Sequence, residues 1–184
     1  MSHASIKCLF FDRDGVVNED PGEGYVLHWE DLHVIPSFLD CLRLAQRHDY
    51  RAAIVTNQRC VARGILSIEQ LEDMHHRLGI LIRRHGIPPL LDIIYCPHHP
   101  HECDCRKPLP GMITQLARRH GINLSYSWMI GDRETDVLAG RAAGCRTILV
   151  QQPASSSLAD HIVPDMPSLP ALLERLLEDT AAAQ

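Results

Sequence analysis

The stretch "IKCLFFDRDGVVN", residues 6–18, decides the fold. Its first half, 6–11, is a short, mostly apolar run, which reads as a strand buried on both faces. It then breaks into Asp12, Arg13, Asp14 and Gly15, residues that leave a sheet rather than continue it. A strand buried on both faces needs parallel neighbours and covering helices. Runs of the same kind recur as RAAIVT at 51–56, DIIYC at 92–96, SWMI at 127–130 and RTILV at 146–150.

Helical patterns separate these runs. Residues 36–47 start at Pro36 and place Phe38, Cys41, Leu42 and Ala45 on one face. Residues 67–85 start with Ser67 and Gln70, a capping box, and carry Ile68, Leu71, Met74, Leu78 and Leu81. Gly86, Gly121 and Gly144 follow helices over 67–85, 111–120 and 134–143, where a C-terminal cap belongs. A last amphipathic helix spans Leu169 to Leu177 with Ser168 as its cap, and the low-complexity tail EDTAAAQ closes the chain. Five strands alternating with helices predict an α/β fold, a Rossmann-like doubly wound parallel sheet forming one domain over 1–184.

Composition narrows the function. The chain has 184 residues, 45% hydrophobic and 22% charged, with a net charge of −5. That balance argues against a nucleic-acid partner, which requires a basic face. No apolar run reaches the ~18–20 residues that span a bilayer, so no membrane partner is expected. The start, MSHASIKCLFFD, lacks the sections of a signal peptide, and the expected location is cytoplasmic. Of seven cysteines, three fall in "YCPHHPHECDCRKP", 95–108, beside three histidines. That clustering favours metal binding over a disulfide framework.

Ligands of such sheets bind at the carboxyl ends of the strands. Strand one ends in Asp12 and Asp14, two carboxylates that repel unless a cation lies between them. Strand two ends in Thr56 and Asn57, a hydroxyl and an amide suited to phosphate oxygens. Arg106 and Lys107 follow strand three between a cysteine and Pro108. Strand four ends in Gly131 and Asp132, with Asp136 one helical turn later. Singly, each has an ordinary reading as a turn, a cap or a solvated basic pair. Their joint order is the equipment for a hard divalent cation and a phosphate, and oxygen ligands favour Mg²⁺.

The motifs DRDG, VTNQ, CRKP and GDRETD, in that order across roughly residues 6–150, resemble the haloacid dehalogenase superfamily of phosphatases. The likeness is greatest to its families that add a zinc loop, the heptose 1,7-bisphosphate 7-phosphatases and the histidinol-phosphate phosphatases. The resemblance implies a Mg²⁺-dependent phosphoric monoester hydrolase working through an aspartyl-phosphate. It makes Asp12 the nucleophile and Asp14 the general acid and then base. Thr56 and Lys107 would stabilise the phosphoryl group. Asp12, Asp14 (through its backbone carbonyl) and Asp132 would hold Mg²⁺. Arg106 and Arg133 would contact substrate, and Asn57, by the amide noted above, is a further candidate. The chemistry agrees. A carboxylate nucleophile divides a very slow hydrolysis into two steps, but it approaches a phosphate only where charge is cancelled.

The cysteine loop reads as a closed tetrahedral set of Cys96, His98, Cys103 and Cys105, the same four positions the resembling families use for Zn²⁺. With no open position the zinc is structural, and His99 and His101 are spare imidazoles, either of which can stand in for His98 in so short a loop. Metal binding supplies the folding energy of a loop with no apolar pattern. Cys8, Cys41, Cys60 and Cys145 read as buried and inert.

Asp14 and Thr56 are separated by 41 residues (15–55), too few for a cap domain, so the fold is capless and its site open, with loops 19–31 and 96–105 as walls. GYV at 24–26 and VARG at 61–64 match the heptose branch, and Arg63 becomes a candidate for a second phosphate. The arginines argue against histidinol phosphate, itself a cation. The expected partner is a small phosphorylated metabolite, a sugar bisphosphate made for surface polysaccharide, and the expected state is a monomer. Two departures stand out: Arg59 and Cys60 replace the family's Ser-Gly after VTNQ, and EDPGEG at 19–24 is slightly long.

Overall fold

The leading strand, β1 (Lys7–Phe11), shows why the first motif lies where it does. Leu9 and Phe11 project into one hydrophobic cluster and Cys8 and Phe10 into another, all fully buried. This two-residue alternation between two cores is the signature of a sheet covered on both faces. In the computed structural model, which describes residues 6–151 and 156–182, β1 lies inside a parallel six-stranded sheet of order β3-β2-β1-β4-β5-β6. The other strands are β2 (Tyr50–Asn57), β3 (Asp92–Cys96), β4 (Trp128–Gly131), β5 (Arg146–Val150) and β6 (His161–Val163).

Five of these strands follow the sequence reading to within a residue or two. The sixth, His-Ile-Val, was not foreseen, because three residues at a sheet edge carry too little pattern. The chain lays β2 and β3 on one side of β1 and β4, β5 and β6 on the other. The order therefore reverses between β1 and β4, and a crevice opens beyond their carboxyl ends.

The helices divide between the two faces. Phe38 and Leu42 of α1 (Pro36–Arg47), Leu71 and Leu78 of α3 (Ile68–Arg84) and Leu173 of α6 (Leu169–Ala182) belong to one core. Met112 and Leu116 of α4 (Gly111–His120) and Ala139 of α5 (Glu134–Ala143) belong to the other. The Ser67–Gln70 capping box is present: the Gln70 amide donates to the Ser67 hydroxyl at 3.2 Å, and the Ser67 amide donates to the Gln70 side chain at 2.9 Å.

Two helical details differ from expectation. A short helix, α2 (Arg59–Ala62), follows β2. Ser168 does not cap α6; it lies in a 3₁₀ turn over Met166–Ser168, and its amide and hydroxyl both donate to Asp165. The tail is helical through Ala182, and its last two residues lie outside the described set, as do residues 1–5 of the N-terminal stretch. Among the described residues, no helix is long and apolar enough to cross a membrane.

Candidate active site

The end of β1 is fastened to its neighbour before the chain turns. The Asp12 amide donates to Ile130 O of β4 at 2.9 Å, which aims the next residues into the crevice. The turn closes where Val17 and Asn18 amides donate to Arg13 O, with Gly15 at φ +86. Only glycine suits that position. Its backbone is left-handed, and an added Cβ would come 2.6 Å from an Asp132 oxygen. Gly131 at the end of β4 is also forced, since a Cβ there would overlap the Asp136 carboxyl.

These close approaches gather Asp12, Asp132 and Asp136, whose carboxylate oxygens lie within 4.8 Å of one another. All three residues are buried. Lys107, itself buried, enters the group: its Nζ lies 2.8 Å from Asp12 Oδ1 and 2.6 Å from Asp136 Oδ1, and donates to Val55 O at 2.9 Å. Burial pushes Asp12 up to about 7 against the pull of Lys107. Burial, then the Asp136 charge, pushes Asp132 up to about 6. Burial pulls Lys107 down, but Asp12 and Asp136 outweigh it and hold the ammonium above its usual value. Asp132 Oδ1 is buried without a hydrogen-bond partner. Three crowded carboxylates against one ammonium, with an orphaned oxygen, fit a divalent cation.

Asp12 and Asp132 come together with Asp136 as a third carboxylate. Asp14 was expected at the metal through its backbone carbonyl, and its carboxylate lies outside this cluster. The physical reason is Arg13, fully buried, whose guanidinium grips Asp14 at 2.9–3.0 Å. Asn18 and Gln58 also donate to Asp14, at 3.0 and 3.1 Å. Gln58 reaches Thr56 Oγ1 at 2.9 Å as well, so the ends of β1 and β2 share one polar bridge.

A cavity of about 530 Å³ opens above these groups. Asp12, Asp14, Thr56 and Lys107 line its floor, and residues 20–25 form one wall, as expected for the loop after the first motif. The other expected wall, 96–105, does not line it; Arg106 just beyond that loop does, with Arg59 and Arg133. Arg133 is exposed and faces Asp20 and Asp132, each at 3.6 Å. Arg63 is not among the lining residues and donates to the Tyr25 hydroxyl at 3.2 Å. Asn57, expected to meet substrate, lines the cavity and also uses both ends of its amide on the Lys107 backbone, each at 3.1 Å. It reads as a clamp that sets the lysine in place.

The cysteine loop closes on the four expected residues. Sulfur–sulfur separations are 3.5 Å for Cys96–Cys103 and 3.3 Å for Cys103–Cys105. His98 Nδ1 lies 3.6 Å from Cys96 Sγ and 3.4 Å from Cys105 Sγ. A tetrahedron with ~2.3 Å metal–sulfur bonds has edges of about 3.8 Å, so the set fits zinc with slight expansion. His98 fills the imidazole position; the His99 ring lies beside Arg59 instead. Burial pushes the Cys96 and Cys105 thiols up. Burial also lifts Cys103, but hydrogen bonds from Cys105 and the Arg106 backbone outweigh it and bring it to about 7. The other four cysteines are buried, and burial raises each thiol.

Sequence reasoning missed three contributors. Arg13 and Gln58 carry no role in the sequence reading, and Asp136 enters it only as the acid one helical turn after Asp132. The available signal for Asp136 was its four-residue spacing from Asp132, which lets its carboxylate take the Arg133 amide at 3.0 Å and still reach Lys107.

Comparison with known proteins agrees with this geometry. A HAD-hydrolase-like family model matches residues 104–168. The D-glycero-beta-D-manno-heptose-1,7-bisphosphate 7-phosphatase of Pseudomonas aeruginosa is 40% identical over 144 residues, 78% of this chain and 80% of the relative. Its Pseudomonas putida counterpart is 37% identical over 161 residues, 87% of this chain and 91% of the relative. The crystal structure of the D,D-heptose 1,7-bisphosphate phosphatase from B. bronchiseptica, complexed with magnesium and phosphate, superimposes with a TM-score of 0.82 at 30% identity, covering 95% of this chain and 99% of that one.

Proposed function

Since the chain belongs to the haloacid dehalogenase-like phosphatases, in the family of the heptose-1,7-bisphosphate 7-phosphatases, we propose that it removes the 7-phosphate of a D-glycero-D-manno-heptose 1,7-bisphosphate. One observation carries the chemistry: Asp12 stands at the carboxyl end of β1, on the cavity floor, with Lys107 Nζ 2.8 Å away. A carboxylate so placed can meet a phosphate without an uncompensated clash of charge.

Asp12 attacks phosphorus, forming an oxygen–phosphorus bond as the bond to the sugar oxygen breaks. Asp14 gives its proton to the departing alkoxide. Its carboxylate then takes a proton from water, which attacks phosphorus, releases phosphate and restores Asp12. Thr56 and Lys107 steady the phosphoryl oxygens. Asp12, Asp132 and the Asp14 carbonyl are the groups that would hold Mg²⁺, with Asp136 alongside. When bound, Mg²⁺ cancels charge between the carboxylates and the phosphoryl group. Zn²⁺ on Cys96, His98, Cys103 and Cys105 would fix the path of Arg106 and Lys107. We assign the reaction to the cytoplasm.

The test is phosphate release with Mg²⁺ from heptose 1,7-bisphosphate and histidinol phosphate side by side, with Asp12→Asn as the blank. A large preference in kcat/KM for the heptose supports the reading. A preference for histidinol phosphate, or release unchanged in the blank, overturns it.

A further inference from the structure

The cavity's cations are not equivalent. Lys107 is neutralised by Asp12 and Asp136, and Arg133 faces Asp20 and Asp132. Arg59 and Arg106 differ. Each lines the cavity, and among the described residues neither has a carboxylate within ion-pair distance. Their hydrogen bonds go to neutral acceptors on adjacent residues of the cysteine loop. Arg59 Nε donates to the His99 ring at 3.4 Å, and Arg106 Nη1 donates to His98 O at 3.4 Å.

The framework beneath them is fixed. The Gln58 amide donates to Cys96 O at 2.8 Å and the Ala62 amide to Pro97 O at 3.1 Å, so the segment bearing Arg59 is fastened to the loop on both sides of that residue. Cys60 anchors it from below, fully buried in the core. Position 60 is helical, so the glycine that the family places there is not needed for its backbone shape. The departure from the family pattern thus demands no special backbone shape and adds a guanidinium to the cavity wall.

We propose that Arg59 is a specificity-determining residue of this chain: with Arg106 it forms a two-guanidinium clamp for the phosphate that does not react. The inference rests on the bisphosphatase reading above and deepens it. Two planar forks with unspent charge suit the oxygens of one phosphate dianion. A monophosphate occupying the Asp12–Lys107 floor would leave them empty. Binding energy gathered there serves to hold the substrate in register over Asp12.

The experiment compares parent, Arg59→Ser and Arg59→Lys, all with Mg²⁺, on heptose 1,7-bisphosphate and heptose 7-phosphate. The readout is the ratio of the two kcat/KM values. Arg59→Ser lowers that ratio about tenfold, chiefly through KM for the bisphosphate, and Arg59→Lys retains part of it. A ratio unchanged in Arg59→Ser, or a lysine no better than the serine, overturns the proposal. Should the parent fail to turn over the heptose bisphosphate, the bisphosphatase reading fails separately. The clamp is then decided by inhibition of aryl-phosphate turnover. Arg59→Ser must weaken hexane-1,6-diol bisphosphate more than hexyl phosphate, and equal weakening of both overturns it.

Discussion

Lys107 Nζ lies 2.6 Å from Asp136 Oδ1, joining the motif after the cysteine loop to the first turn of α5. The same ammonium reaches Asp12 at 2.8 Å. One buried cation therefore holds together the nucleophile proposed here and a carboxylate that the sequence hardly advertises. Replacing it with methionine leaves two buried carboxylates without their partner. Lys107→Met is expected to lower kcat at least ~100-fold and stability by about 3 kcal/mol. The stability loss should be smaller at pH 5 than at pH 8, because the carboxylates can then take up protons. Phosphate release and denaturant melts at the two pH values check both effects; an unaltered kcat would remove Lys107 from the phosphoryl site.

Asp12→Asn separates catalysis from stability in the opposite sense. Burial raises the folded-state value of Asp12 from 3.8 to about 7. A carboxyl raised in this way holds its proton in the folded state when the unfolded chain has already lost it. Its ionisation thus costs stability as pH climbs from about 4 through about 7. The amide cannot ionise. The variant should lose turnover while its Tm at pH 8, without Mg²⁺, stays level with the parent's or rises. A lower Tm at pH 8 would mean that the Lys107 pairing outweighs the desolvation of Asp12.

The same values set how cation binding responds to pH. Asp12 and Asp132, pushed to about 7 and about 6, must give up protons before both can coordinate Mg²⁺. Apparent affinity should fall as pH drops through that window. The rise in Tm produced by Mg²⁺ is expected to be large at pH 8 and small at pH 5.5. Thermal melts across this range, with and without Mg²⁺, are the check. A shift independent of pH would mean that the cation binds away from these carboxylates.

The parts of the fold that were legible in the sequence are those with local causes. β1 announces itself because its residues alternate between two dry cores, and Ser67 with Gln70 starts α3 within four residues of chain. β6 did not, since an edge strand of three residues is stabilised by its neighbour β5 rather than by its own pattern. The candidate site divides in the same way. Asp12, Thr56, Lys107 and Asp132 end strands or flank a motif, so position alone nominates them. Gln58 and Asp136 act through contacts with distant segments, and their neighbours in sequence say nothing of the partner; Arg13 grips the adjacent Asp14, but its burial depends on the packing around it, which the sequence does not show. Asn57 adds a role that its type and place do not announce: from the cavity lining, its amide also clamps the Lys107 backbone.

The cysteine loop gives the last prediction. Residues 97–105 contain no helix or strand, and the loop's sulfur and nitrogen atoms are held at 3.3–3.6 Å with no covalent bond among the cysteines. Thiols that burial keeps protonated, as at Cys96 and Cys105, surrender their protons only to a metal. The parent should therefore carry about one zinc per chain, and Cys103→Ser should carry much less, by elemental analysis of the purified proteins. A strong chelator should lower the parent's Tm and leave that of Cys103→Ser nearly unmoved, because the variant has no metal left to lose. Turnover should fall as well, since Arg106 and Lys107 follow Cys105 directly and Lys107 must reach Asp12 to within hydrogen-bonding distance. Equal zinc content in the two proteins would take Cys103 out of the ligand set. Zinc loss with turnover intact would leave the ligand set standing but sever the loop from the placement of Lys107.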